Sequence, residues 1–214
     1  MKKFGFTLAE ILVTLGIIGV VAALTLPNLK INTTNAKIGP ALGKAVSTFE
    51  LANEMMLEDN GWESISQAGF ANSAAYIDKL LDYVKGDSVA NITSVYDGKT
   101  YSALRTKDGF MFLVDLQSPF PDQPGGRTFG KPHKNVDGVV QIDINGTADP
   151  NAVGEDHFVF GLFDDGSLRP KGHPDWMGGN GTDWRNTCKA DESPTDPSDC
   201  TAHIFDNGLK VLYK

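Results

Sequence analysis

One acidic residue, Glu10, interrupts an apolar segment of the chain at residues 6–29 that carries no other charged side chain. An unpaired carboxylate in a hydrocarbon environment costs several kcal/mol, so an acidic residue retained there is a candidate for a functional role. The chemistry that such a residue can perform is pairing with an opposite charge. Glu10 is therefore the first candidate site residue.

The two cysteines of the sequence, Cys188 and Cys200, form a second candidate feature. Their spacing excludes a CxxC redox motif and a zinc knuckle. A disulfide that closes a short loop is expected if this part of the chain lies outside the reducing cytoplasm. The alternative is a pair of unbonded thiols. We favour the disulfide, which stabilises such a loop by about 3 kcal/mol in the chain-entropy model.

Oxygen-bearing side chains recur at Asp143, Asn145 and Asp149, a pattern that suits a hard cation such as calcium. The EF-hand pattern fails, because Gly146 comes two residues early and no glutamate closes the loop. A hairpin turn at Asn145-Gly146 explains the same residues, and we favour it over calcium binding. The sequence Asp-Asp-Gly at residues 164–166 is interpreted as a turn for the same reason.

The remaining candidates for chemistry are histidine and tryptophan side chains. The histidines share no metal-ligand spacing; they are His133, His157, His173 and His203. Trp176 and Trp184 would form a binding face if exposed, but we expect them to anchor a glycine-rich loop against a sheet. The sequence lacks the nucleophile elbow, the P-loop, the HExxH zinc motif and the dinucleotide fingerprint. We therefore expect no catalytic residue, no metal ligand and no enzyme.

Charge and hydropathy place the apolar segment in a membrane. As a helix, residues 6–29 would be roughly 36 Å long, enough to cross a hydrocarbon core of about 30 Å. Lys2 and Lys3 precede this segment, so the positive-inside rule puts Met1 in the cytoplasm and the following residues outside. The net charge of −8 and the scattered basic residues argue against nucleic-acid binding.

Two simpler interpretations explain this segment less well. A secretory signal peptide needs a small-residue cleavage site after its apolar run, and residues 22–27 offer none that is clear. A plain single-pass anchor gives no reason for Glu10.

Residues 2–10 read KKFGFTLAE, a short basic leader that ends in glycine and is followed by Phe-Thr-Leu-x-Glu. This segment resembles the class III signal of type IV prepilins and type II secretion pseudopilins. The resemblance implies that a prepilin peptidase cuts between Gly5 and Phe6 and methylates the new terminal amine. It also implies that Glu10 meets the amine of a neighbouring subunit during assembly, and that Pro27 kinks the helix.

The same resemblance implies a set of partners and a location. Pilins typically carry a disulfide-bounded loop near the C-terminus, and Cys188 and Cys200 match it in position and size. The implied partners are the prepilin peptidase, other pilin or pseudopilin subunits and the inner membrane. The outer part would lie in the periplasm, or on the cell surface if the protein is assembled into a pilus.

A second helical pattern follows the apolar segment. Its apolar residues step by four and three, which predicts one buried face: Ile38, Leu42, Ala45, Phe49, Ala52 and Met56. Gly39-Pro40 and Gly43 depart from a helix-favouring sequence, so we expect a kink or a restart near Pro40. A shorter amphipathic helix is predicted at residues 71–84.

Beyond residue 88 the sequence changes to short strand-like runs separated by Asp-Gly and Asn-Gly turns. The predicted strands are residues 95–96, 101–104, 104–106, 110–116, 139–144, 158–163 and 209–213. Together they predict an antiparallel sheet packed on a helix, an α+β fold.

We therefore expect a pilin-like α+β protein in four parts. These are a prepilin leader at 1–5, a transmembrane and filament-core helix at 6–29, a stem extension at 30–60, and an α+β head at 61–214. The expected function is a structural filament subunit. Two alternatives are a minor tip subunit with an adhesive or ligand-binding head, and an anchored protein that borrows the pilin stem.

Overall fold

The computed structural model describes residues 8–116, 136–176 and 183–213, with the side chains of these residues except 22–35. The chain divides into two compact units, Met1–Lys37 and Ile38–Lys214, which we call the N-terminal unit and the head unit. The predicted part boundaries at residues 5, 29 and 60 stay predictions.

Helix α1 comprises Leu8–Asn60, so it contributes residues to both units. In the N-terminal unit the described side chains of residues 8–21 are all exposed. Their large apolar side chains are between 47% (Ile11) and 77% (Leu8) exposed, and at 100° per residue they cover every side of the helix. Within the described residues, no helix combines the length and the hydropathy of a membrane span.

The part of α1 in the head unit is amphipathic, as predicted. All six residues of the predicted apolar face are at most 5% exposed, and polar or small residues occupy most of the opposite face. The polar residue Asn53 is also buried, and its amide donates to the carbonyl oxygens of Phe49 and Gly166 at 3.1 and 3.3 Å. Glu50 accepts a hydrogen bond from the backbone of Leu168 at 2.8 Å. These contacts tie the helix to the sheet at fixed points.

We expected a kink or a restart near Pro40. A restart is wrong, because α1 continues through this residue, and a kink stays a prediction. The neighbouring glycines instead make room for the C-terminal part of the chain. A Cβ atom at Gly39 would overlap the carbonyl oxygen of Leu209, and one at Gly43 would lie 2.7 Å from Leu209 Cδ1. Gly39 and Gly43 therefore form a notch in the helix that receives Leu209.

Two short helices follow α1. Helix α2 (Ile65–Ala68) is capped by the Ser64 hydroxyl, which accepts from the backbone of Gln67. Helix α3 (Ser73–Leu80) is capped in the same way by Asn72, as expected for these residue types at an N-cap. Helix α3 confirms the predicted helix at 71–84, although it is shorter.

The sheet has six antiparallel strands in the order β1-β2-β3-β4-β5-β6, so each strand pairs with its neighbours in sequence. The strands are β1 (Gly86–Thr93), β2 (Thr100–Thr106), β3 (Met111–Leu116), β4 (Val136–Asp143), β5 (His157–Phe163) and β6 (Leu168–Pro170). One face of the sheet packs on α1 and α3, where the rings of Phe49 and Phe112 are 5.1 Å apart. The α+β architecture and the turns at 108–109 and 164–166 agree with the sequence analysis.

Three local predictions in the sheet region are wrong. Residues 95–96 are not a strand, because they lie in the turn between β1 and β2. Asn145-Gly146 does not form a tight hairpin, because residues 144–156 all lie between β4 and β5. Residues 209–213 are not a strand, since Leu209 has a positive φ of 61° and faces α1. The sequence analysis also missed the last helices, α4 (Trp184–Thr187) and α5 (Cys200–Asp206).

Candidate functional site

The predicted assembly and processing residues lie at the start of the chain. Gly5 and Phe6 are outside the described residues, and so is the side chain of Pro27. Glu10 lies in the first turn of α1 and is exposed. A carboxylate there interacts favourably with the positive end of the helix dipole. The roles of all four residues in cleavage, methylation and assembly stay predictions.

The helix around Glu10 has a surface that is suited to burial rather than to contact with water. Its described apolar side chains lie exposed on all sides between residues 8 and 21. Each fully buried Leu, Ile or Val side chain stabilises a structure by about 1.5–3 kcal/mol relative to exposure in water. This surface therefore has a strong driving force to be covered, either by lipid or by other apolar helices.

At the other end of the chain, Cys188 and Cys200 form the predicted disulfide, with their Cα atoms 5.3 Å apart. Both cysteines are fully buried. His203, on α5, contacts the carbonyl oxygen of Cys188 through Nδ1 at 2.9 Å. Burial lowers the pKa of His203, so this imidazole is held in its neutral form near neutral pH.

A buried ion pair fixes the disulfide loop to the sheet. Lys171, directly after β6, places its Nζ 2.5 Å from Asp199 Oδ1 and 3.2 Å from Asp196 Oδ2. The Thr187 hydroxyl donates to the other oxygen of Asp199 at 2.8 Å. Burial opposes the charge of Lys171, but its hydrogen bond with Asp199 outweighs this effect and raises its pKa. The loop is therefore held twice, covalently and by charge.

Sequence reasoning missed this ion pair, because no spacing rule connects a lysine after one strand to an aspartate within a distant loop. The only signal in the sequence was the position of Lys171 directly after Pro170 at the end of a strand, and this signal is weak.

Trp176 and Trp184 differ in their burial and in their contacts. Trp176 is 7% exposed and packs on Val139 and Val159, which confirms the predicted anchoring role. Trp184 is half-buried, and its indole nitrogen donates to Asp206 at 2.6 Å. The described part of the head therefore does not present these two residues as one exposed aromatic patch.

The chain is similar to known proteins, and the similarity includes the N-terminal segment. The family described as the prokaryotic N-terminal methylation motif matches residues 1–26. The type IV major pilin protein PilE1 of Neisseria gonorrhoeae is 32% identical to this chain over 87 residues. The chain is therefore similar to type IV pilins. The match with PilE1 covers 41% of this chain and 40% of the relative, and no solved structure matches the chain.

Of the predicted calcium residues, Asn145 and Asp149 lie in the loop at 144–156, and Asp143 is the last residue of β4. This loop is organised by Asp156, whose buried carboxylate accepts hydrogen bonds from the backbone of Asn151 and Ala152, each at 2.8 Å. The amide of Asn145 donates to the same carboxylate at 3.1 Å, and its backbone donates to Asp143 at 3.0 Å. Among the described residues, no group of three or more His, Cys, Asp and Glu side chains is placed to hold a metal. Calcium binding here was the less favoured alternative, and it stays untested.

One buried polar chain in the head superficially resembles a catalytic arrangement. His157 contacts the Gln141 side-chain oxygen through Nε2 at 2.8 Å, and Ser94 donates to the same oxygen at 2.6 Å. The Gln141 amide thus separates the hydroxyl from the imidazole, and Asp143 is 4.0 Å from His157. All four residues are at most 5% exposed. A nucleophile needs direct contact with its base and access to substrate, so these residues serve packing.

A carboxyl pair joins α2 to the sheet. The Ser66 hydroxyl lies 2.6 Å from Asp137 Oδ1 and 2.5 Å from Asp164 Oδ1. A hydroxyl has one hydrogen and an ionised carboxylate has none, so both contacts are hydrogen bonds only if one carboxyl carries a proton. Burial is the main reason that the pKa of Asp137 is raised to about 6, and the neighbouring Asp164 adds to it.

Proposed function

We propose that this chain is a subunit of a type IV pilus-like filament or of a type II secretion pseudopilus. The observation that carries the proposal is the methylation motif at residues 1–26, combined with a helix that exposes apolar side chains on all sides over residues 8–21. Such a helix is stable in lipid before assembly and among neighbouring helices after it. The similarity to a major pilin supports the same role.

In this proposal the N-terminus is processed before assembly. A prepilin peptidase cuts between Gly5 and Phe6, which removes Lys2 and Lys3 and leaves a methylated ammonium group on Phe6. Glu10 supplies the opposite charge to the ammonium group of an adjacent subunit. Removing one partner of a buried ion pair commonly costs 3–5 kcal/mol, so the pairing favours subunits in the correct axial register.

The topology follows from the same residues. Lys2 and Lys3 keep Met1 in the cytoplasm, and the head unit lies in the periplasm or outside the cell. The Cys188–Cys200 disulfide supports this location, because disulfides persist in oxidising compartments and are rare in the cytoplasm.

Intact-mass analysis of the chain, co-expressed with and without a prepilin peptidase, tests the processing step. We expect loss of residues 1–5 and a gain of one methyl group only when the peptidase is present. A Gly5→Leu variant is the matched control and should stay uncut. An uncut wild-type chain, with a peptidase shown to be active on a known prepilin, would overturn the proposal.

A second experiment separates the two kinds of filament. Deletion of the gene is scored for surface filaments and for secreted proteins in the same cultures. Loss of filaments with normal secretion indicates a pilus, whereas loss of secretion indicates a pseudopilus. If neither changes in a strain that normally makes the protein, the role of a required filament subunit is refuted.

A further inference from the structure

Helix α2 is held on the sheet by a small number of contacts. It comprises Ile65–Ala68, and a helix of this length is too short to be stable by itself. The Ile65 residue is 3% exposed, and its backbone N–H donates to the carbonyl oxygen of Asp164 at 2.9 Å. The Ser66 hydroxyl contacts the carboxyls of Asp137 in β4 and Asp164 in the turn between β5 and β6. We call these three side chains the Ser66 bridge.

The Ser66 bridge is complete only when it contains an extra proton. The Ser66 hydroxyl has one hydrogen, and it lies 2.6 and 2.5 Å from two carboxyl oxygens. If one carboxyl is protonated, it donates to the hydroxyl, and the hydroxyl donates to the ionised carboxylate. If both are ionised, one carboxylate faces only the lone pairs of the hydroxyl oxygen, and the two carboxylates repel each other. Loss of the proton therefore turns an attraction into a repulsion.

The surroundings of Asp137 also disfavour a second negative charge. Its Oδ2 atom is buried and has no hydrogen-bond partner in the described part of the chain, and such an oxygen is costly to ionise. Among the described residues, no basic side chain forms an ion pair with Asp137 or Asp164. Tyr76 of α3 acts on Asp137 electrostatically, but burial raises the pKa of its phenol, which stays neutral.

The charged groups on the neighbouring elements have other partners. Glu50 of α1 accepts a hydrogen bond from the backbone of Leu168 at 2.8 Å, and Asp165 accepts one from the Ser167 hydroxyl at 2.6 Å. Arg169 of β6 provides a positive charge that acts on both of these carboxylates. A proton is therefore the positive charge that is available to the Ser66 bridge.

We propose that the Ser66 bridge is a proton-dependent latch: a proton shared by its two carboxyls holds α2 on the sheet, and loss of this proton to solvent releases α2 while the rest of the head unit stays folded. The released segment is residues 62–70. The rings of Trp62 and Phe70 at its two ends are 5.7 Å apart, so the segment can move as one piece. The latch lies within the head unit, so this inference does not depend on the proposed function.

The latch should close at low pH and open as the pH rises. With α2 attached, burial and the neighbouring Asp164 raise the pKa of Asp137 to about 6, above its ordinary value of 3.8. The attached form therefore binds the proton more tightly, and rising pH favours the released form. These two values correspond to about a 10-fold rise in the released population between pH 5 and pH 8. After solvent screening we expect at least about a 3-fold rise.

Hydrogen–deuterium exchange of the full chain in detergent, followed by mass spectrometry at pH 5 and pH 8, tests the latch. The readout is the protection factor of the backbone amides in residues 62–70, which corrects for the intrinsic pH dependence of exchange. We expect this protection to fall at least about 3-fold from pH 5 to pH 8. The amides of β5 in the same samples should keep their protection. An equal fall in β5 would show general loosening of the head unit and would overturn the proposal.

Two variants fix the latch in its closed state. Asp137→Asn replaces a carboxylate by an amide, whose N–H donates to the Ser66 hydroxyl at any pH. This variant should keep residues 62–70 protected at both pH values. Asp164→Asn is the reciprocal variant with the same expected result, so the test survives if one of the two fails to fold. Glu63→Gln is the matched control, because it removes the same charge from an exposed residue just before α2 and should keep the wild-type pH response.

The variants separate the latch from other causes of a pH response. Equal protection of residues 62–70 at both pH values in the wild-type chain would overturn the proposal. A wild-type response that persists in Asp137→Asn and Asp164→Asn would also overturn it, because the controlling proton would then be bound elsewhere. Loss of the response in Glu63→Gln would show that net charge, rather than the Ser66 bridge, controls α2, and would equally refute the latch.

Discussion

The notch formed by Gly39 and Gly43, which receives Leu209, permits a test. Two general rules predict opposite effects of a glycine-to-alanine substitution there on the stability of the fold. In an exposed helix, replacing glycine by alanine stabilises the fold by about 0.5–1 kcal/mol, because alanine loses less conformational freedom. At Gly39, however, the new methyl group would overlap the carbonyl oxygen of Leu209. A backbone oxygen cannot move aside without displacing its chain.

The steric effect should exceed the gain in helix propensity. Forcing an extra methyl group into a packed site costs about 1–3 kcal/mol, and more where backbone atoms must move. Displacement of Leu209 would also strain its hydrogen bond to Ile204, which is 2.8 Å long. We therefore expect Gly39→Ala to destabilise the chain by a net 1–3 kcal/mol, or about 2–4 °C in Tm for each kcal/mol in a chain of this size.

Gly43→Ala is the matched control, because it lies one turn further on the same notch. Its added methyl group would lie 2.7 Å from Leu209 Cδ1, the end of a side chain that can change rotamer. The steric cost should therefore be small, and the propensity gain should bring the net effect near zero. Both variants keep the same net charge and the same disulfide.

Denaturant unfolding of the full chain in detergent, followed by tryptophan fluorescence, measures both effects. The three tryptophans lie in the head unit, so the signal reports on the part that contains the notch. Gly39→Ala at or above wild-type stability would refute the argument that Leu209 fixes the residue type at this position. A large loss for Gly43→Ala would show that the side chain of Leu209 is also rigidly held.

Three further predictions concern charged groups. Lys171→Met leaves Asp199 buried without its cation and should cost about 3–5 kcal/mol of unfolding free energy, whereas the control Lys79→Met, at a side chain that is 32% exposed, should change it much less. The folded pKa of Asp137, about 6, exceeds its ordinary value of 3.8, so its stabilising contribution is complete below pH 4 and is lost as the pH rises through 6. In wild type this loss of unfolding free energy should be about 1–2 kcal/mol once solvent screening is allowed for, and Asp137→Asn should abolish it. If the unfolding free energy of both chains depends on pH in the same way, the carboxyl pair is contradicted. Glu10→Val should lower filament yield while leaving the subunit in the membrane, and normal yield would exclude its role in assembly.

The sequence was sufficient where local patterns decide the structure. The buried face of α1 follows from a periodic pattern in which residues such as Leu42, Phe49 and Met56 share one side of a helix. The hairpin at Asp108-Gly109 follows from turn chemistry, because Gly109 has a positive φ of 95°. Each of these predictions needs only residues that are close in sequence.

The incorrect predictions concern residues whose structure depends on distant parts of the chain. Asn145-Gly146 has the sequence of a tight turn, but the path of the loop is set by Asp156, which accepts hydrogen bonds from the backbone of Asn151 and Ala152 and from the side chain of Asn145. The predicted strand at residues 209–213 has the composition of a strand, yet Leu209 lies against α1 with a positive φ of 61°, outside the range of a regular strand. Tertiary contacts overrode local propensity in both places.

Gly39 and Gly43 show how an apparent misfit in a sequence can predict a contact. Glycine within a helix costs about 1 kcal/mol relative to alanine, so two glycines four residues apart beside the predicted apolar face lower the stability of that helix unless they serve another purpose. The sequence analysis interpreted them as departures from a helix-favouring sequence and expected a kink or a restart near Pro40. The physically stronger interpretation is that two glycines one turn apart let another backbone approach the helix closely, and Leu209 makes that approach. A glycine pair with this spacing in an otherwise well-formed amphipathic helix therefore predicts a close chain crossing at that turn, and the Gly39→Ala experiment tests that rule as well as this protein.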